Sequence, residues 1–163
     1  MSEYSFTLVI TGVDDLSYDL VDLLLEAGCD DASFGQRHGV CFGEFDREAP
    51  DALTALESAT RQVQSVHGLS VHHVEPSEYV SLGHIAARVG RTPENIRQLA
   101  GGLRGPRGFP VPSGGILDRS RLWRWSEVVE WWDRAFPDDL DPSVGEMARA
   151  VERFNLDRLL KVS

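Results

Sequence analysis

The sequence predicts a mixed α+β protein made of two small domains and a C-terminal helix. Three observations carry that reading. The apolar period alternates between two and about 3.6 residues through the first 75 positions. After a break at Glu75-Pro76-Ser77-Glu78 the pattern turns helical and rich in Gly, Pro and Trp. The charge changes sign at the same break. A chain of 163 residues suits one ordinary domain or two small ones.

Residues 4–11, Tyr4 to Thr11, place Phe6, Leu8 and Ile10 on one face, the pattern of a half-buried strand. Gly12 to Asp15 make a turn, with Asp14 or Asp15 capping the first helix. Leu16, Leu20, Leu23, Leu24 and Ala27 then recur at helical spacing, and Gly28 is a natural stop. Ala32–Phe34 and Val40–Phe45 read as strands joined by Gln36-Arg37-His38-Gly39. Pro50 stands where a second helix begins. Its stripe is Leu53, Leu56, Ala59, Val63 and Val66, and Leu69–Val74 is a last strand. The order is βαββαβ over residues 1–76, the split-βαβ or ferredoxin-like pattern. Such a sheet carries helices on one face and leaves the other open. Val9 and Phe42 fall on the open side, opposite Phe6, Leu8, Ile10, Cys41 and Phe45. They are candidates for an interface with a protein partner or a second copy.

Little in this domain suggests chemistry. His72 and His73 are adjacent in a strand, which predicts opposite faces and argues against shared metal ligation. The spacings of a metal site, such as CxxC or HxxxH, are missing from the sequence. The first βα turn, Thr11-Gly12-Val13-Asp14-Asp15, offers carboxylates where a phosphate site needs cations or glycine-rich backbone. No nucleophile is followed by a base at readable spacing, so no enzyme activity, metal or cofactor is expected. Two cysteines do not make a disulfide framework.

Net charge sharpens the division. The whole chain is −10, which taken alone argues against nucleic acid. Residues 1–78 hold 15 acids and 3 bases, whereas residues 79–125 hold 2 acids and 8 arginines. That basic island carries the second domain, read as residues 77–136. Ser81 caps a helix with Leu82, Ile85, Ala86 and Val89 inward, and Gly90 closes it. Thr92 as cap and Pro93 at the first helical position start another helix, which stops at Gly101-Gly102. Ile96, Leu99 and Ala100 face inward, while Arg97 and Gln98 face outward with Asn95 flanking. Two short helices around a tight turn are a helix-turn-helix, and Arg, Asn and Gln are the side chains that read base edges. Phe109-Pro-Val-Pro112 and Leu122-Trp-Arg-Trp125 flank a glycine-rich tip. They read as a hairpin wing whose prolines favour an edge position. Ser126 then caps a helix through Ala135, whose tryptophans read as core.

In its motifs, Phe109-Pro-x-Pro, then Trp123-Arg-Trp125-Ser126, then Val128 and Trp131, after a helix-turn-helix, the segment 79–136 resembles the MerR-like winged-helix domains of phage-type excisionases and related small regulators. The resemblance implies a second helix in the major groove, a wing on backbone and minor groove, and tryptophans in the core. It places Thr92, Asn95, Arg97 and Gln98 on the recognition helix and Arg119 and Arg121 on the wing. The chain departs from the family in its long Leu103–Gly108 connection and its longer wing tip. As a whole it also has the look of small actinobacterial regulators, and 15 arginines to one lysine suit a GC-rich genome.

The residues assigned to double-stranded DNA are therefore Arg91, Thr92, Asn95, Arg97, Gln98, Arg104, Arg107, Arg119 and Arg121. Arg97, Arg104, Arg107, Arg119 and Arg121 lack nearby acids in sequence apart from Asp118, which favours phosphate. Arg88 and Arg124 are instead expected to pair with Glu127 or Glu130.

Pro137 ends the tryptophan-rich helix. Asp141 and Pro142 start an amphipathic helix within residues 137–163, with Val144, Met147, Ala148, Val151, Phe154 and Leu159 at helical spacing. It needs a partner surface, either the winged domain or its copy in a dimer. No apolar run reaches the roughly 18 residues of a membrane span, and Met1–Phe6 lacks the basic and apolar regions of a signal peptide. The expectation is a cytoplasmic, sequence-specific, homodimeric DNA-binding regulator. The rival expectation is an antitoxin-like or excisionase-like adaptor whose acidic N-terminal domain binds a protein. A third is a small-ligand sensor.

Overall fold

The computed structural model describes residues 1–117 and 120–162; Arg119, expected on the wing, lies outside the described residues. The protein is mixed α+β and divides into two compact units. One comprises Met1–Pro76 with Ala150–Ser163, the other Ser77–Arg149.

The first unit runs β1 (Ser2–Thr11), α1 (Tyr18–Glu26), β2 (Ala32–Arg37), β3 (Val40–Ala49), α2 (Ala52–Ser65) and β4 (Ser70–Glu75). The four strands form one antiparallel sheet in the order β2-β3-β1-β4. β1 and β3 are longer than their apolar alternation predicts, because Ser2 to Ser5 pair with Ala49 to Asp46. Backbone pairing continues past the last apolar residue. His38 and Gly39 both have positive φ, 54° and 77°, the two-residue turn whose twist matches a hairpin. Tyr4, Phe6, Leu8, Ile10, Cys41, Phe45 and Ala49 are buried on one face, where α2 packs against β1, β3 and β4. Val9 and Phe42 are direct cross-strand partners on the other face.

Local departures have local causes. α1 begins at Tyr18, not Leu16, because the Ser17 hydroxyl accepts from the Leu20 N–H at 3.1 Å. Asp14 and Asp15 do not cap it. They are tied to β2 through Gln36, whose amide donates to the Asp14 carbonyl (2.9 Å) and Asp15 Oδ1 (3.2 Å). Leu23, expected inward, is 50% exposed, while Leu24 is fully buried. α2 is capped by Asp51, which accepts from the Thr54 N–H at 2.8 Å, so Pro50 precedes the cap.

The two histidines of β4 do not take opposite faces. The β1–β4 register shifts between Val9 and Ile10, which pair with His73 and Val71. This bulge brings His72 Nδ1 and His73 Nδ1 to 2.8 Å, and His73 Nε2 lies 3.1 Å from Glu75 Oε1.

The second unit contains β5 (Tyr79–Val80), α3 (Leu82–Val89), α4 (Pro93–Ala100), β6 (Trp123–Arg124) and α5 (Trp125–Ala135). α6 (Pro142–Val162) contributes its first residues here and Ala150 onward to the first unit. The core joins Val80, Ile85, Ile96, Leu99, Val128 and all four tryptophans. The wing differs from expectation. Phe109–Pro112 does not pair with Leu122–Trp125, since Pro110 and Pro112 lack the N–H a ladder needs. A single isolated bridge among the described residues, Gly114 to Leu122, closes the base of this loop. β6 pairs instead with β5, a strand too short for any periodicity to announce. α5 starts at Trp125 because its N–H donates to the Glu78 carbonyl at 2.7 Å, so Ser126 lies inside the first turn.

In the first unit, the end of α6 lies along the free edge of β4. The Val74 N–H donates to Asn155 Oδ1 (3.2 Å), and Arg158 donates to the Val71 carbonyl and to Gln64 Oε1. These side chains occupy the edge groups that would otherwise template another strand. No helix among the described residues is long and apolar enough to cross a membrane.

Candidate nucleic-acid interface

α3 and α4 are set by caps at both ends of a three-residue turn. The Ser81 hydroxyl accepts from the His84 N–H (3.3 Å) and His84 Nδ1 accepts from the Ser81 N–H (3.5 Å), a reciprocal capping box. Gly90 takes the left-handed conformation, φ 71°, that ends α3. Thr92 Oγ1 then accepts from the Asn95 N–H at 3.1 Å, and Pro93 opens α4. Ile96 and Leu99 are buried against the core. The opposite side of α4 therefore presents Glu94, Arg97 and part of Gln98 to solvent.

The long connection after α4 is anchored, although it has no regular structure. Trp131 Nε1 donates to the Arg107 carbonyl (3.0 Å) and Trp123 Nε1 to the Pro110 carbonyl (2.9 Å). Phe109 sits edge-on to both indoles, with centroid separations of 6.0 Å to Trp123 and 5.0 Å to Trp131. Burial of an indole calls for a partner for its N–H, and here backbone carbonyls of the connection serve.

The assigned residues separate into groups. Arg104 and Arg107 are exposed on the connection. Arg97 is exposed on α4 but forms a short ion pair with Glu94. The expectation that it lacks a nearby acid is corrected: Glu94 lies three residues earlier, on the same helical face. Arg91 is engaged with the core, its Cζ 5.3 Å from the Trp132 ring centre and 5.1 Å from that of Phe136. Its Nη1 also reaches Asn95 Oδ1 at 3.5 Å. Arg121 precedes β6, with its Cζ 5.2 Å from the Trp123 ring centre. Thr92 spends its hydroxyl on the cap. Five of the assigned residues therefore carry structural interactions as well: Arg91, Thr92, Asn95, Arg97 and Arg121.

Arg124 pairs with Glu127 at 2.8 Å. Arg88 does not pair with Glu127 or Glu130; its Cζ lies 5.0 Å from the Trp125 ring, and burial pulls its pKa down. Spacing could not reveal this stacking, because Arg88 and Trp125 stand on separate helices, α3 and α5. The arrangement offers guanidinium and amide donors along α4 and the connection, suited to phosphate oxygens and base edges. Among the described residues no group of three or more His, Cys, Asp or Glu could hold a metal ion. Both cysteines are buried thiols, and burial pushes Cys29 up to about 11.

Compared with family models, with curated proteins and with solved structures, the chain matches none.

Proposed function

We propose that the chain is a sequence-specific DNA-binding protein and a transcriptional regulator, without enzymatic activity. On this reading the first unit is a ferredoxin-like domain and the second a winged helix-turn-helix, acting in the cytoplasm as a homodimer. α4 reads the major groove through Arg97, Gln98 and Asn95. Arg104, Arg107 and the wing arginines 119 and 121 take phosphate. The observation that carries the reading is the capped pair α3–α4, whose outer face leads into an arginine-bearing connection within a segment of 2 acids and 8 arginines. Arg91, stacked on Trp132 and Phe136, serves this surface mainly through its hydrogen bond to Asn95 Oδ1. A gel shift with genomic fragments from the gene's own upstream region tests it. Binding should fall steeply as salt rises, by about one log unit in affinity per log unit of salt for each phosphate neutralised. Salt-insensitive or absent binding at low salt rejects it.

A second reading has its own observation. Glu3 and Glu48 are cross-strand partners on the open sheet face, a like-charge pairing that costs stability. Asp46 and Glu44 continue the same row beside Phe42. An adaptor with a basic protein partner, antitoxin-like or excisionase-like, would make use of that face. Recovery of one basic protein by the native chain, and its loss with Phe42→Ala and Glu44→Gln together, would favour it.

A further inference from the structure

We infer that the groove between α2 and the end of α6, within the first unit, is a binding site for a small zwitterion, a free α-amino acid. The inference goes beyond the DNA-binding reading and does not depend on it.

The groove has a volume of about 510 Å³, within the range of small-molecule sites. Its walls include Glu57, Thr60 and Arg61 of α2 and Phe154, Asp157 and Arg158 of α6. Positions 57, 60 and 61 share one helical face. Glu57 and Arg61 stand four apart in the order that favours an ion pair, yet among the described residues neither forms one. Two buried polar atoms on the same walls also have no hydrogen-bond partner among the described residues. They are the hydroxyl of Thr60, a residue 7% exposed, and Arg158 Nε. A helical threonine can turn its hydroxyl back to the carbonyl one turn earlier, and Thr60 does not. Buried polar side chains nearly always have a partner, so two orphans in one groove mark the place of a hydrogen-bonding guest. Arg158 is already fixed. Its Nη2 donates to the Val71 carbonyl and to Gln64 Oε1, and its Cζ lies 5.5 Å from the Phe154 ring centre. Burial pulls its pKa down, the direction of a cation with no carboxylate to offset its desolvation.

These groups select the chemistry of the guest. Arg61, Arg158 and the Thr60 hydroxyl are donors suited to a carboxylate. Glu57 and Asp157, one on each helix, suit an ammonium group. Asp157 is held only loosely within the chain, with Oδ2 3.9 Å from Arg153 Nε. The two carboxylates and two guanidiniums of the walls sum to zero charge. A zwitterion can therefore pair both of its ends, whereas a simple anion or cation meets as many like charges as opposite ones. A phosphate dianion would face both carboxylates. Guanidiniums beside the carboxylates disfavour a metal ion, and among the described residues no group of three or more His, Cys, Asp or Glu could hold one. Phe154 adds an apolar wall for a side chain.

The test uses the full chain and the free amino acids one at a time, by isothermal titration calorimetry and by melting. One amino acid, or a few alike in side chain, should bind once per chain and raise the melting temperature. Its methyl ester and its N-acetyl derivative each lack one of the two charges, and each should bind about tenfold more weakly or worse. Glu57→Gln and Arg61→Gln change exposed groups. Each should leave melting of the free chain unchanged and weaken binding by about tenfold. Thr60→Val removes an oxygen that has no partner, so the free chain should melt no lower while affinity for the amino acid falls. The opposite result, lower melting with affinity unchanged, makes the hydroxyl structural and overturns its place in the site. Absence of binding by every amino acid at millimolar concentration overturns the proposal. So does binding that Glu57→Gln and Arg61→Gln leave unchanged, and so does equal binding of acetate or inorganic phosphate, the mark of a plain anion site.

Discussion

Arginine does different work in the two units. In the first, Arg47 is nearly buried. Its Nε and Nη2 meet both oxygens of Asp31 at 2.7 and 2.9 Å, while Nη1 reaches Ser58 Oγ and Nη2 the Gly28 carbonyl. The hydrogen bond to Asp31 is the main cause of its raised pKa. Four of its five N–H donors are used inside the fold, so this guanidinium has little left to offer a ligand. In the second unit, arginines stack on rings at the surface of the core, as Arg88, Arg91 and Arg121 do, or extend into solvent, as Arg97, Arg104 and Arg107 do. A stacked guanidinium keeps edge N–H groups for another acceptor. A basic count thus locates a candidate surface, whereas the partners of each side chain decide which members are available to bind.

Substitutions probe this contrast, and the largest loss is expected in the core of the second unit. Trp132 is fully buried and its Nε1 donates to Asp139 at 2.8 Å. Trp132→Ala should cost about 3–5 kcal/mol. Urea unfolding followed by fluorescence and by circular dichroism measures the loss. Separate transitions would show two independently stable units, and coincident ones a single cooperative fold.

Arg47→Met should cost about 2–3 kcal/mol, because it strands Asp31 and the Gly28 carbonyl. Adding Asp31→Leu should recover part of that loss, measured by the same unfolding curves. If Arg47→Met were as stable as the native chain, the internal role assigned to this arginine would be wrong.

The helix caps give a smaller contrast. Thr92→Ala should cost about 1 kcal/mol at any pH between 3 and 8. Asp51 caps α2 through the Thr54 N–H, and that hydrogen bond holds its carboxyl below the ordinary value. A depressed folded pKa means that the contribution is complete above the unfolded pKa, about 3.9, and is lost as pH falls through the folded value. Asp51→Asn should therefore lose less stability than the native chain when the pH is lowered from 6 to 3.

The smallest effect on stability belongs to Arg97→Ala. Its exposed pair with Glu94 is worth at most about 0.5 kcal/mol, so melting should hardly change. On the proposed function the same variant relaxes base preference, whereas Arg104→Ala weakens binding to all sequences alike. Selection from a random pool, compared between the two variants, separates reading from phosphate contact.

Much of the local structure was legible. The hairpin before β3, the Ser81 and Thr92-Pro93 helix starts and the buried tryptophans follow from residue type and spacing, although Gln36 and Arg37, read as part of the turn, belong to β2 and leave only His38-Gly39 to turn. Glu94 was legible as the partner of Arg97 by the same rule, three residues apart on one helix. Other features had no local signal. The His72–His73 contact depends on a bulge in the pairing with β1. The stacking of Arg91 depends on rings some forty residues away in the chain.

Helix caps, turns, the mixed α+β composition and the place where charge changes sign are set within the amino-acid sequence. They depend on hydrogen bonds and periodicities spanning a few residues. The pairing of Trp123–Arg124 with Tyr79–Val80, and not with the proline-bearing segment 109–112, is a tertiary outcome. So are the placement of Asn155 and Arg158 against the edge of β4 and the choice of which arginines stack. These are competitions among distant partners of similar local suitability, and packing of the buried rings and pairing of backbone N–H groups settle them.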